Sequence, residues 1–324
     1  MSDSNAASSA VLIRAMPTVC VLLFLPGLLC AQQVVRAGLA SFPADTQQVA
    51  YLNLAQLRSS PDYPQIHQHV LYQQFRGFQL FLRSVGIDPE KDVDELILGW
   101  RGQALSGSGS FGLAAGRFEP DKVHQFFAKT QLPAPSYAGF DLFAFGSGAD
   151  PEDTFFTFLD SSLAAFGRLH DLKALLDVRE GSADALETNQ TFRGYETELE
   201  EKAPQWGILS GKAAANAAVP WLAGGKKTMD MTAFLEPVQA VLYSVDWDGG
   251  FTAYISIVCR TSQSAAGLLQ LLNILKSVPA VSASGGGSGP PSLLQNLDAR
   301  QNGVRLELSA SGPADALDQF LKVE

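Results

Sequence analysis

The sequence is short of the residues that most chemistry needs. It has 3 cysteines in 324 residues. Cys20 and Cys30 fall in an N-terminal apolar run, so a chain that loses that run keeps Cys259 alone. No intramolecular disulfide then forms, and stability rests on the core. Cys259 lies in the strand-like run YISIVCR, the setting of an inert buried thiol rather than a nucleophile. Histidine is almost as scarce, at 4 residues. His67 and His69 sit two apart in a helical pattern and point in different directions, which excludes a shared metal ion. His124 and His170 stand alone. The G-x-S-x-G elbow is missing, which removes one class of serine hydrolase. Positive charge is short as well: 23 Lys and Arg against 33 Asp and Glu give a net charge of −10. Nucleic acids and anionic lipid surfaces need a basic footprint, so neither is expected as a partner.

Apolar runs long enough to span a bilayer are also lacking. VCVLLFLPGLLC (Val19–Cys30) has the length of a signal-peptide core. Arg14 precedes it and Ala31 leads into a polar turn. Residues 1–31 therefore read as a signal peptide cleaved after Ala31, with Met1 or Met16 as the start. That leaves no integral membrane span after cleavage and a periplasmic or extracellular destination. A lipid anchor on Cys30 is the alternative, and Leu29 stands where such a site wants a small residue. Losing Asp3 and Arg14 with the leader keeps the net charge at −10.

What is present is a globular composition. With 46% hydrophobic and 17% charged residues, the chain has the balance opposite to that of disorder. Residues 32–46 read as a linker. QQVAYLNL alternates as a strand, and Pro64 to Val85 carries apolar residues at helical spacing. Hairpin strands, a helix after Pro120, further strands and a helix from Arg168 follow. Residues 181–203 read as a connecting helical segment, solvated because of Glu187, Glu196, Glu198 and Glu200. A similar order then returns: strand, helix, two strands around DGG, the helix Ser262 to Val278, a strand and a final helix. Residues 279–292 form a flexible Gly/Ser loop. The expected fold class is α+β: two structurally related halves, 47–180 and 204–324, each a mostly antiparallel sheet covered by helices.

Three motifs imitate ligand sites. SGSGSFG (Ser106 to Gly112) has glycines at the G-x-G-x-x-G spacing. A dinucleotide loop must lead from a strand into a helix whose free N–H groups meet the phosphates; here a second strand follows. GILSGKA (Gly207 to Ala213) has three residues between its glycines where a phosphate loop has four, and Ala213 follows Lys212 where Ser or Thr is required. DWDGG (Asp246 to Gly250) opens like a calcium loop, but Ile257 stands where the closing acid belongs.

The stretches FPADTQQVAYLNL, GIDPEKDVDEL, AAGRFEPDKVHQFF, YAGFDLFAF and LETNQTF, over much of 42–192, resemble a group of uncharacterised exported bacterial proteins. The resemblance implies export and a repeated α+β architecture, and it brings no activity or site. No catalytic, cofactor-binding or metal-ligating residue is assigned, and no cofactor is expected. Twenty phenylalanines, clustered at Phe126–Phe127 and Phe155 to Phe158, fill a core or line an apolar site. The expected function is non-catalytic: an exported envelope protein binding a protein partner or an apolar ligand between its halves. A hydrolytic enzyme with unlocated acidic residues is the alternative.

Overall fold

The computed structural model describes residues 27–64, 66, 74–101, 110–150, 152–199, 203–215, 235–277 and 297–313. Among them, helices α1 (Gly27–Ser41), α2 (Leu54–Ser59), α3 (Gln74–Ser84) and α4 (Pro89–Asp92) surround strands β1 (Thr46–Asn53) and β2 (Val93–Arg101) in the first part of the chain. Then come β3 (Ser110–Gly116), α5 (Pro120–Thr130), the short strands β4 (Ser136–Tyr137), β5 (Phe140–Asp141) and β6 (Phe143–Phe145), β7 (Thr154–Phe158), β8 (Leu163–Arg168), and helices α6 (Leu169–Arg179) and α7 (Gln190–Leu199). The last part holds β9 (Gln205–Ser210), β10 (Val238–Asp246), β11 (Phe251–Cys259), α8 (Ser262–Ser277), β12 (Asp298–Asn302) and β13 (Arg305–Gly312).

One sheet takes strands from both stretches. Its eleven strands run β12-β13-β11-β10-β9-β1-β2-β3-β8-β7-β6, and every neighbouring pair is antiparallel. The expectation of a separate sheet in each half gives way to this single sheet, because β1 and β9 pair with each other from Gln48–Leu209 to Leu52–Gln205. An edge strand with unpaired N–H and C=O groups is costly to leave open, and here two such edges satisfy each other.

Alternation sorts the side chains onto two faces. Ala50 and Leu52 join a core with Leu57 of α2, Leu82 of α3 and Phe127 of α5. Val49 and Tyr51 point the other way, toward Val34 and Leu39 of α1 and Leu172, Leu175 and Leu176 of α6. Gln48 pairs with Leu209, so the cluster of Leu209, Val241, Ile257 and Leu306 under α8 lies on the α2 side. Leu268, Leu271 and Leu272 of α8 are buried there as their spacing predicts; the side chain of Leu275 lies outside the described residues. On the opposite face, α7 covers Ala240, Leu242 and Val258 with Tyr195 and Leu199. Beyond it the face is polar, with Arg300 on Glu307 at 2.7 Å and Arg305 on Glu198 at 2.7 Å.

Two stretches differ from the sequence reading. Most of 32–46, expected as a linker, belongs to α1, which buries Val34 and Leu39 and hands on to the fully buried Phe42. Leu186 N–H donates to Phe42 O at 2.7 Å, tying that turn to the segment before α7. And α7 is not merely solvated: Phe192 and Glu196 are buried, since one side of the helix faces the sheet. In YAGFDLFAF, Ala138 and Gly139, both of positive φ, separate β4 from β5, and β6 follows from Phe143.

Candidate functional site

A cavity of about 70 Å³ lies between the sheet and the helices of the first stretch. Its floor follows from register. Leu96 pairs with Ala114, Ala114 with Ala164, and Ala164 with Phe158. These four side chains form one cross-strand row over β2, β3, β8 and β7, with neighbours about 5 Å apart. The two middle members are methyl groups and the two outer ones are large, so the row has a dent at its centre. Leu54 of α2, Leu82 of α3, and Ile87 and Pro89 at the entry to α4 roof it. Asp88 caps α4 by accepting from Glu90 N–H at 3.3 Å, which fixes where Pro89 and Glu90 project.

The lining is almost entirely carbon. Arg58, Tyr63 and Glu90 at its margin are engaged. Arg58 donates from Nη1 to Val93 O at 2.7 Å and from Nη2 to Asp94 Oδ1 at 2.8 Å. Tyr63 donates to Glu90 Oε2 at 2.7 Å. Burial, and then the Glu90 carboxylate beside it, hold the Tyr63 hydroxyl well above the usual range, so it stays a donor. Such a chamber suits an apolar guest that makes few polar demands.

The phenylalanine clusters divide between core and cavity. Phe127 packs on Phe143 with centroids 4.8 Å apart, and Phe143 on Phe156 at 5.4 Å. Phe155 belongs to the core on the other face of the sheet. Phe156 and Phe158 do both jobs, since they also line the cavity. The cavity lies within the first stretch and not between the halves, bounded by residues from Leu54 to Phe166.

No family model matches the sequence, and no curated protein matches it. The fold does have a counterpart among solved structures. Crystal form III of TP0453 superposes with a TM-score of 0.50 at 9% identity, covering 88% of this chain and 97% of that one. Crystal form IV gives 0.51 at 9% identity, covering 88% and 96%. At this identity the likeness is one of fold alone.

The motifs set aside on sequence grounds now have structural places. Gly112 of SGSGSFG is inside β3, which pairs antiparallel with β2; Gly107 and Gly109 lie outside the described residues. A Cβ on Gly112 would stand 2.4 Å from Ile97 O and 2.9 Å from the Phe166 ring, so this glycine serves packing. Gly207 of GILSGKA lies under the Tyr243 ring. DWDGG turns β10 into β11, with Gly249 at φ 67° and Gly250 at φ 124°. Cys259 is buried, and burial pushes its thiol up. His124 Nδ1 lies 3.5 Å from Asp141 Oδ2 and His170 Nδ1 3.5 Å from Asp171 Oδ1; His67 and His69 fall outside the described residues. Among the described residues no group of three or more His, Cys, Asp or Glu could hold a metal ion.

One acid was missed. Glu95 on β2 is 4% exposed. Burial pushes its carboxyl up to about 7, with the Tyr51 hydroxyl holding it down in part and Asp94 adding to the rise. The Tyr51 hydroxyl and the Glu95 carboxyl are buried beside each other, and the Tyr51 ring stacks on Trp206 at 5.3 Å. The signal was in VDELILGW: period 2 places Glu95 with Ile97, which is buried in the core on the α1 side, while Val93, across a register shift, joins the core on the α2 side. Asp94 is turned the other way, to Arg58, so these adjacent acids do not converge as a catalytic pair would.

Proposed function

We propose that the protein is an exported, non-catalytic envelope protein, periplasmic or extracellular, that holds an apolar ligand in the cavity over Ala114 and Ala164. The observation that carries the reading is the carbon-lined dent between Leu96 and Phe158, closed above by Leu54, Leu82 and Ile87. A space of this kind excludes water poorly paid for in hydrogen bonds and accepts an apolar guest.

Export is supported by the N-terminal pattern. The described side chains that α1 buries, Val34 and Leu39, lie beyond Ala31, so a chain starting at Gln32 retains them. Among the described residues no helix is long and apolar enough to cross a membrane. The reading also includes two related units, 47–180 and 204–324, joined through 181–203. Its support is strand order: outward from the β1–β9 pair the sheet runs β1-β2-β3-β8-β7-β6 on one side and β9-β10-β11-β13-β12 on the other. In each, a hairpin leads into a helix, α5 or α8, on the same face of the sheet.

The test uses n-hexane, a guest with no head group. Its titration should shift the methyl resonances of Leu82, Ile87 and Leu96 saturably, and Ala114→Phe should abolish the shifts. Hexane that leaves those methyls unmoved, or moves them equally in the variant, removes the proposal.

A further inference from the structure

We infer that the open face of the sheet around Tyr254 is a binding surface for an uncharged polysaccharide. This surface lies beyond α7, on the side of the sheet away from α8 and the cavity. It is a second site, and it needs nothing from the apolar-ligand reading.

Register builds the surface. Ser244 pairs with Tyr254, Tyr254 with Ser309, and Ser309 with Asp298. These four side chains form one row across β10, β11, β13 and β12, about 14 Å long at the usual strand spacing. Ile255 and Leu308, their neighbours along β11 and β13, pack under α8, so alternation turns the row to the opposite face. Beside the row, Thr252 pairs with Ser311. Trp206, the partner of Ser244 on β9, is buried and ends the open face on that side.

Tyr254 is 57% exposed, and among the described residues it is the one exposed aromatic residue. No hydrogen bond or ring contact among the described residues engages it, and none engages the hydroxyls of Ser244, Ser309, Thr252 or Ser311. A flat ring therefore stands in water, surrounded by hydroxyl groups that can each donate and accept.

That chemistry selects the occupant. A pyranose ring has an apolar face, which stacks on an aromatic ring, and a rim of hydroxyls, which give and take hydrogen bonds. Tyr254 meets the first. The serine and threonine hydroxyls and the Asp298 carboxylate meet the second. An anionic partner is disfavoured by charge: Arg300 and Arg305 stand beside Glu307 and Glu198, and Asp298 adds a further acid, so the face carries no excess of positive charge. A second copy of the chain is disfavoured by composition. A stable dimer buries about 800 Å² on each partner around an apolar centre, and here one ring stands among hydroxyls.

The test titrates chitotetraose and cellotetraose, two uncharged oligosaccharides, into the full chain and follows the amide resonances of Ser244, Tyr254 and Ser309. The expected result is saturable shifts at these amides with at least one of the two sugars, insensitive to added salt. Tyr254→Ala should weaken that binding at least about tenfold. Tyr254 is exposed, so the variant leaves no hole in the core. No saturable shift with either sugar, or binding that the variant keeps, overturns the inference. Pentalysine bound at the same amides in preference to both sugars, and released by salt, overturns it in favour of a basic peptide. Ala114→Phe should leave sugar binding unchanged, so failure here and failure of the cavity reading are told apart.

Discussion

Ala114 on β3 and Ala164 on β8 face each other in register, and this pair of methyl groups is what keeps the space above the sheet unfilled. Both are buried, so their smallness is not a surface accident. The flanking members of the same cross-strand row are Leu96 and Phe158. Four ordinary residues thus make the floor of a cavity through their order across four strands.

Phe166 is the wall whose loss should be felt most. It is 5% exposed and lies against Gly112. Phe166→Ala should cost about 3–5 kcal/mol, the usual range for deleting a buried ring. Denaturant unfolding measures the loss, and the enlarged cavity should take up n-hexane more readily. A loss under about 1 kcal/mol would mean that this wall is loosely packed.

Gly112→Ala should lower stability by at least about 1 kcal/mol, since its Cβ would need room that Ile97 O and Phe166 occupy. NAD titration should be silent before and after the change. Saturable NAD binding, lost in the variant, would restore the dinucleotide reading.

Glu95 should impose a pH dependence of definite sign. Its carboxyl is raised to about 7 in the folded protein against 4.5 ordinarily. Both states are protonated at low pH, so the group is neutral to stability there. As pH rises from 4.5 toward 7 the unfolded chain releases its proton first, and stability falls. The fall is up to about 3 kcal/mol at 1.36 kcal/mol per pH unit. Glu95→Gln should remove this slope and be the more stable form at about pH 8. Parallel stability curves for the two proteins across that window would contradict it.

Leu272 of α8 is 1% exposed over the sheet. Leu272→Asp should cost several kcal/mol, on the order of 3 or more, because it buries a charge without a partner. Lys276 is no neutral control, since its Nζ donates to Leu297 O at 2.6 Å. Ile274, 60% exposed, is the better one. Ile274→Gln should change stability by less than about 0.5 kcal/mol.

The mature chain is expected to begin at Gln32. Intact mass of protein recovered from its native host checks this. A species that retains Val19 to Cys30, or a Cys30 bearing acyl chains, would refute it.

Local pattern determined much of this protein. Alternation in QQVAYLNL and VDELILGW gave the strands, the DGG turn gave the β10–β11 hairpin, and three-four spacing gave the buried face of α8. These are near-neighbour effects, readable because the side chain and backbone that decide them are adjacent in sequence. The same alternation placed Glu95 inward, though its burial depends on the helices above. Tertiary structure alone decided the rest. That β1 and β9 close two edges into one sheet is a pairing of residues about 160 apart, which no local preference encodes. That α1 packs where a linker was expected depends on a buried surface contributed by α6 and the sheet. That Ala114 and Ala164 form a cavity depends on register: slip either strand by one residue and its alanine turns to the opposite face, leaving the pair broken.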